Sequence, residues 1–245
     1  MFFRGDEMRL GIMQPYLFPY IGYFQLINAV DKYVIYDNVQ YVRKGWINRN
    51  NYLNFTGPGS QNSLLFTFKV KKDSYVKNIC EREYSASFET DKKNFLRLLN
   101  IKYHKAPYYA ETMDVIQEIL SYKSENVAEF NANSIMRISE YLGIHTEFYC
   151  SSDMAIPSEL KFQSRAIWMC KSCGADTYIN AIGGMGLYSY DDFAKEGIQI
   201  HFLKTGDVRY PQFDRVFTPN LSIIDVMMFN SPENIEKILN DYSLL

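Results

Sequence analysis

The feature that most constrains this chain is a pair of short apolar runs near its N-terminus. Residues 9–13 and 33–36 form the two runs, and an aromatic, proline-containing loop and a helical pattern over residues 24–30 separate them. Two buried strands joined by a helix predict a βαβ unit, whose strands are parallel. Parallel sheets bind their ligands at the carboxyl ends of the strands. The polar residues that follow the two runs are therefore the first candidates for a functional site.

Polar side chains do follow both runs. Gln14 comes directly after the first run, and Asp37 and Gln40 come after the second, so we expect these three on one rim of the sheet. An arginine pair with an amide and an indole follows closely, and this combination suits an anionic, planar or sugar-bearing ligand. These residues are Arg43, Trp46, Asn48 and Arg49.

Length and composition limit the class of protein. With 245 residues the chain buries enough apolar surface to fold without disulfides or metals, and we predict one α/β domain over residues 8–245 with a leader over residues 1–7. A net charge of −2 argues against nucleic acid as the main partner. No apolar stretch approaches the ~20 residues of a membrane span, and the first residues lack signal-peptide features. We therefore expect a cytoplasmic protein.

The four cysteines do not form a recognisable metal or disulfide pattern. Cys170 and Cys173 have a C-x-x-C spacing, but a zinc site needs a second pair or histidines at matching spacing. This pair falls in the last turn of a predicted helix that Gly174 closes. Core packing is the default interpretation, redox or metal chemistry is the alternative, and we predict no metal site.

The remainder of the chain predicts three further regions. Residues 51–55 and 64–70 predict a β-hairpin across a glycine-rich turn. Residues 90–143 predict three successive helices, which we expect to pack beside the sheet as a helical subdomain rather than to form a crossover within it. An alternation of strands and helices then resumes, and a last helix begins at Ser231–Pro232 with Tyr242 on its core-facing stripe. The predicted fold is a Rossmann-like α/β protein with a parallel sheet.

Two further features of the sequence are typical of anion-binding sites. A glycine turn formed by Gly183, Gly184 and Gly186 follows a predicted strand, where backbone amides can approach a phosphate or a carboxylate. A plain tight turn is the alternative. Lys71 lies at the end of another predicted strand, as a phosphate contact or as part of a solvated edge. We expect Gln14, Asp37, Gln40, Arg49 and Gly184 to line one cleft.

Asp225 and His104 are two of the candidates for a general base. Asp225 is the single acid in an apolar helix, and a buried carboxylate must be paired or hydrogen-bonded. Arg49 or Arg165 would be its partner in a structural role, whereas a raised pKa would suit a catalytic base. His104, at a predicted helix break, is the reserve candidate for proton transfer.

The motifs together resemble the WbqC-like family of bacterial polysaccharide-cluster proteins. The matching segments are residues 14–16, 19, 22–23, 37–41, 48–49, 103, 105–107, the glycine turn with Tyr188, 210–212 and 219–225. The resemblance implies a role in O-antigen assembly, with transfer of glycine or a similar small acyl group to a nucleotide-linked amino sugar. Further substrate contacts implied by these segments are Tyr16, Tyr23, Tyr188, Tyr210 and Gln212, and we add Tyr20, which lies between two of the segments.

The resemblance leaves several roles open. Such a reaction needs hydrogen-bond donors for the oxyanion, and we assign this role to Gln14 and Asn48. Arg43 and Arg49 would contact an anionic group of the substrate. Asp37 or Asp225 would be the base. The opening βαβ unit also resembles that of the nucleotidyltransferase fold, but Tyr20 and Tyr23 stand where that fold has its phosphate-binding histidines. ATP is the candidate cofactor, and a homodimer is compatible with this hypothesis. The alternatives are a non-catalytic sugar-nucleotide escort protein and an ATP-dependent adenylate-forming ligase.

Overall fold

A six-stranded sheet lies at the centre of the computed structural model, which describes residues 7–245. The strands are β1 (Arg9–Met13), β2 (Lys32–Ile35), β5 (Glu147–Cys150), β6 (Thr177–Ala181), β7 (Gln199–Thr205) and β8 (Tyr242–Leu244). Their order is β5-β2-β1-β6-β7-β8, and all neighbouring pairs are parallel except β7 and β8. This mostly parallel sheet confirms the predicted Rossmann-like α/β class. The strand order reverses between β1 and β6, where such folds bind ligands.

Helices cover both faces of the sheet. They are α1 (Ile21–Asn28), α2 (Phe88–Tyr103), α3 (Tyr109–Ser121), α4 (Val127–Tyr141), α5 (Gln163–Ser172), α6 (Tyr190–Lys195), α7 (Ile223–Phe229) and α8 (Pro232–Leu239). Successive residues of a strand point to opposite faces, so Tyr33 and Ile35 join the larger core while Val34 joins the smaller one. No helix among residues 7–245 has the length and apolar character needed to cross a membrane.

The predicted hairpin is present as a separate two-stranded sheet. Strands β3 (Arg49–Asn54) and β4 (Asn62–Thr67) pair antiparallel. Cys170 and Cys173 are both buried at the end of α5, in agreement with a packing role. The predicted leader lies outside the described residues, apart from Glu7.

Two predictions about the arrangement are wrong. Helices α2 to α4 lie in the connection from β2 to its parallel neighbour β5, and their buried side chains share one core with α1 and β2. They are thus part of a long crossover. Tyr242 is not helical, because α8 ends at Leu239 and the chain then pairs with β7 as β8. The sequence pattern does not distinguish an apolar stripe that continues a helix from one that begins a short edge strand.

The loop between β1 and α1, residues 14–20, is fixed by donors from distant elements. Two of its residues are proline and supply no N–H group. Because the loop therefore has few hydrogen-bond donors of its own, its buried carbonyls need donors from other parts of the chain. Asn131 of α4 donates to the carbonyls of Pro15 at 2.8 Å and Ile47 at 2.6 Å, and its own oxygen accepts from the Tyr84 hydroxyl at 2.7 Å. The side chain of Asn131 is fully buried. It therefore joins this loop to the segment that enters β3.

Replacing Asn131 tests this connection. Asn131→Ala leaves one hydroxyl and two carbonyls unsatisfied in the core, and we expect the free energy of unfolding to fall by about 2–4 kcal/mol. Urea denaturation measures this loss. Asn133→Ala on the same helix is the matched control, since the Asn133 side chain forms no hydrogen bond within the described chain and should change stability by less than about 0.5 kcal/mol. Equal stability of the two variants would contradict the role of Asn131.

Candidate functional site

A depression of about 570 Å³ is lined by the three cationic side chains that we predicted to contact an anion, Arg43, Arg49 and Lys71. We call it the basic groove. Its lining includes seven cationic side chains and one carboxylate, and consists of Tyr41, Arg43, Lys44, Asn48, Arg49, Thr67, Lys69, Val70, Lys71, Lys72, Asp73, Tyr75 and Arg82. The one carboxylate, Asp73, is paired with Lys77 at 2.7 Å. A chain with a net charge of −2 therefore carries a strongly positive local surface.

Several of these cations are available to a ligand. Arg43, Lys44, Lys69 and Lys72 make no side-chain ion pair or hydrogen bond with any described residue. Lys71, in contrast, is paired with the exposed Glu83 at 2.9 Å. Four unneutralised cations around one concave surface form a site for an anion with more than one charge.

The wall of the basic groove is held by partly buried hydrogen bonds. The guanidinium of Arg82 is only 6% exposed, donates to the carbonyls of Ser74 and Lys71 at 2.9 Å each, and lies 5.0 Å from the ring centre of Tyr41. Its Nε has no hydrogen-bond partner within residues 7–245. The Asn48 amide donates to the Phe68 carbonyl and accepts from the Tyr41 hydroxyl. Asn48 therefore supports the wall with both ends of its amide.

Two further predicted contacts adjoin the groove. Arg49 donates to the carbonyls of Gly45 at 3.1 Å and of Lys44, so it fixes the turn before β3 as well as lining the groove. Gln40 is exposed and donates to the carbonyl of Tyr75, a lining residue, at 2.9 Å. Gln40 therefore does not line the groove itself but is hydrogen-bonded to Tyr75, which does.

A second depression, of about 300 Å³, lies next to the basic groove. We call it the aromatic pocket, and its lining residues are Tyr16, Tyr20, Trp46, Asn50, Asn51 and Asn220. The Arg49 guanidinium lies 5.9 Å from the centre of the Trp46 ring, so these two side chains form the boundary between pocket and groove. The sequence predicted Tyr16, Tyr20 and Trp46 as contacts, but not the asparagines.

Asp37 lies in a different cluster, at the carboxyl ends of β2 and β5. Its carboxylate accepts hydrogen bonds from the Ser151 hydroxyl at 2.9 Å, the Ser152 hydroxyl at 2.7 Å and the Ser152 backbone N–H at 2.8 Å. Asp37 is nearly buried and lines a third depression together with Cys80, Cys150 and other residues. Sequence reasoning missed both serines, although they follow β5 directly, as Asp37 follows β2.

Gln14 and the glycine turn lie at the same end of the sheet, because β1 and β6 are parallel. The Gln14 carbonyl accepts from the Tyr23 hydroxyl at 3.0 Å, and burial raises the pKa of Tyr23. Tyr23 is therefore a buried support for the loop. The glycines lie in a 3₁₀ helix over Ile182–Leu187, where a side chain on Gly184 would come within 2.6 Å of the Asn180 amide nitrogen. Tyr188 accepts from the Tyr178 hydroxyl.

Asp225 is fully buried in the first turn of α7, and no arginine among residues 7–245 forms an ion pair or hydrogen bond with it. One carboxylate oxygen accepts from the Tyr103 hydroxyl at 3.0 Å, and the other accepts from the Tyr210 hydroxyl and the Gln212 amide at 2.7 Å each. The predicted partners are wrong, since Arg165 donates to Asn38 and Arg49 donates to backbone carbonyls. Asp225 thus anchors the loop that contains Tyr210 and Gln212 to α2.

His104 is exposed at the end of α2. Its Nδ1 lies 3.0 Å from the Asn100 carbonyl, and it lines none of the depressions described above. The structure therefore separates the three candidate bases, Asp37, Asp225 and His104, from the basic groove.

These features define an α/β protein with a Rossmann-like sheet and a cationic groove beside an aromatic pocket. The chain belongs to the WbqC-like protein family, whose model matches residues 14–237. It is 29% identical over 228 residues to "Uncharacterized protein Rv1507c" of Mycobacterium tuberculosis (strain ATCC 25618 / H37Rv), covering 91% of this chain and 93% of that protein. No solved structure matches the chain.

The buried Asp225 carboxyl should make stability depend on pH. Burial raises its pKa from 3.8 to about 6, against the lowering effect of the hydrogen bonds from Tyr210, Gln212 and Tyr103. The folded state then binds more protons than the unfolded state between about pH 4 and pH 6. Its contribution to stability is therefore full below pH 4 and is lost as the pH rises through 6.

Comparison with Asp225→Asn isolates this effect, because the amide does not titrate. From pH 4 to pH 7 the free energy of unfolding of the wild type should fall relative to that of the variant by about 2 kcal/mol. Urea denaturation at several pH values measures the difference. Parallel pH profiles of the two proteins would show that the carboxyl does not titrate in this way.

Proposed function

We propose that this protein is a cytoplasmic transferase of surface-polysaccharide assembly that acts on a nucleotide-linked amino sugar. The observation that carries this proposal is the basic groove, with four unneutralised cations facing one concave surface. The diphosphate of a nucleotide-linked sugar carries two negative charges, and lysine and arginine bind such groups through charge-assisted hydrogen bonds. The groove volume of about 570 Å³ lies within the range of small-molecule sites.

The reaction that fits is acylation of the sugar amine with glycine or a similar small acyl group. The neutral amine attacks an activated carbonyl carbon, a C–N bond forms, and the bond from that carbon to the leaving group breaks. The amine loses one proton to a base, and the leaving group departs with the electron pair of the broken bond. We assign this proton to Asp37, which lines its depression together with Ser152 and accepts a hydrogen bond from the Ser152 hydroxyl at 2.7 Å.

A specific observation favours a second candidate, a non-catalytic protein that binds the same sugar nucleotide and carries it between enzymes. The carboxylate that lines the basic groove is already paired with Lys77, and Asp37 lies in a separate depression. A carrier needs the groove but no base beside it. The two candidates share the ligand and differ in turnover.

Removing two of the unneutralised lysines tests the shared ligand. Lys69→Ala/Lys72→Ala should raise the Kd for UDP and for UDP-linked sugars about tenfold or more, because each charge-assisted hydrogen bond to phosphate contributes about 1.5–3 kcal/mol. Isothermal titration calorimetry at low and moderate salt measures the effect, which should shrink as salt screens the charges.

Lys93→Ala/Lys161→Ala is the matched control, since it removes the same charge from two exposed lysines outside the groove. It should leave the Kd unchanged. Equal losses in both double variants, or no binding of any nucleotide by the wild type, would contradict the proposal.

Mass spectrometry separates the transferase from the carrier. Incubation of the wild type with UDP-glucosamine and either glycine plus ATP or glycyl-tRNA should add one glycyl group to the sugar, and Asp37→Asn should slow this by about 10² or more. Tight binding without any glycyl product from either donor would assign the protein to the carrier role.

A further inference from the structure

The aromatic pocket differs from the basic groove in chemistry although the two are adjacent. All six of its lining residues are uncharged, and three are aromatic while three carry amides. Trp46 is 41% exposed, so its ring offers a flat apolar face to a ligand. Small-molecule sites typically combine such faces with a few well-placed polar groups that fix orientation. This composition suits a neutral, hydroxyl-bearing ring rather than an ion.

Several polar groups of the pocket have no hydrogen-bond partner within residues 7–245. The hydroxyls of Tyr16 and Tyr20 and the side-chain amide of Asn220 make no hydrogen bond with any described residue. Burial raises the pKa of Tyr16 and of Tyr20, so both hydroxyls stay neutral and can donate or accept near neutral pH. A ligand that brings its own hydroxyl groups would satisfy them.

The floor of the pocket is rigid. Asn50 is nearly buried and donates to the carbonyls of Leu17 at 3.1 Å and Phe18 at 2.8 Å, while its oxygen accepts from the Asn51 backbone N–H. The Trp46 carbonyl accepts from the Leu17 N–H at 3.1 Å. The loop that carries Tyr16 and the segment that carries Trp46 are therefore held together before any ligand binds, which lowers the entropic cost of binding.

The position of the pocket relative to the groove matches the shape of one ligand. The sugar ring of a nucleotide-linked sugar is attached directly to its diphosphate, so the two groups need neighbouring sites. Arg49 lines the groove and contacts Trp46, which lines the pocket. A charged site and a neutral aromatic site thus meet at one pair of side chains.

We propose that the aromatic pocket binds the sugar ring of the nucleotide-linked sugar while the basic groove binds its diphosphate. This inference rests on the proposed function of the groove. Trp46 packs against the apolar face of the ring, and Tyr16, Tyr20 and Asn220 bond its hydroxyl or amino groups. These residues then determine which sugar is accepted.

The test compares nucleotides with and without a sugar. The probes are UDP with UDP-glucosamine, and dTDP with a dTDP-linked 4-amino-4,6-dideoxyglucose, titrated by calorimetry. For at least one pair, the wild type should bind the sugar nucleotide about tenfold or more tightly than the nucleotide alone. Tyr16→Phe/Asn220→Gly should lose most of that gain and keep the Kd of the nucleotide. Glycine suits position 220, because Asn220 has a φ of 59°.

Trp46→Ala should also lose the gain, and Tyr190→Phe, which changes an exposed tyrosine outside the pocket, should keep it. A gain that survives in Trp46→Ala and in the double variant would overturn the inference, and so would the absence of a gain for both pairs. In either case UDP binding that still depends on Lys69 and Lys72 would leave the proposed role of the groove intact. Loss of that dependence would instead overturn the proposed function itself.

Discussion

The backbone carbonyls of residues 14–20 depend on hydrogen-bond donors from four other parts of the chain. Tyr23 of α1, Asn131 of α4, Asn50 of β3 and the Ser222–Ile223 start of α7 donate to carbonyls between Gln14 and Pro19. Each unsatisfied buried carbonyl would cost about 1–3 kcal/mol, so the loop and these elements must assemble together. Their assembly brings Tyr16 and Tyr20 into the same pocket as Trp46.

A second network of hydrogen bonds, around the buried Asp225, fixes the part of the chain that follows β7. Asp225 holds Tyr210 and Gln212 against Tyr103, whose hydroxyl also accepts from the Leu53 N–H of β3. The loop that follows β7 is thereby attached to the hairpin and to α2. Tyr20, a residue of the aromatic pocket, and Tyr210 also line a further depression of about 300 Å³, so both networks support neighbouring parts of one surface.

Local patterns predicted much of this architecture because they depend on neighbouring residues. The start of α8 at Pro232 and the hairpin between β3 and β4 both follow from short-range signals. The partners of Asp225 could not be predicted, since Tyr103 and Tyr210 lie 122 and 15 positions away and any buried donor would have satisfied the carboxylate. Side-chain chemistry alone does not select among such donors.

The candidate site was predictable in composition but not in grouping. The sequence identified Arg43, Arg49 and Trp46, which the structure brings to neighbouring depressions, but it placed Asp37 in the same cleft. Asp37 lies apart from the groove because the hydroxyls of Ser151 and Ser152, which follow β5, donate hydrogen bonds to its carboxylate. Lys69 was missed because it lies inside the run 64–70, which predicts a strand and offers no sign of a ligand contact.

The most direct measurement is a crystal structure of the protein with bound UDP-glucosamine. We expect density for the diphosphate between Arg43, Lys69 and Lys72, with the sugar ring against Trp46. Density for the phosphates at the Gly183–Gly186 turn, with the groove occupied only by solvent, would contradict it and would move the site to the switch point between β1 and β6.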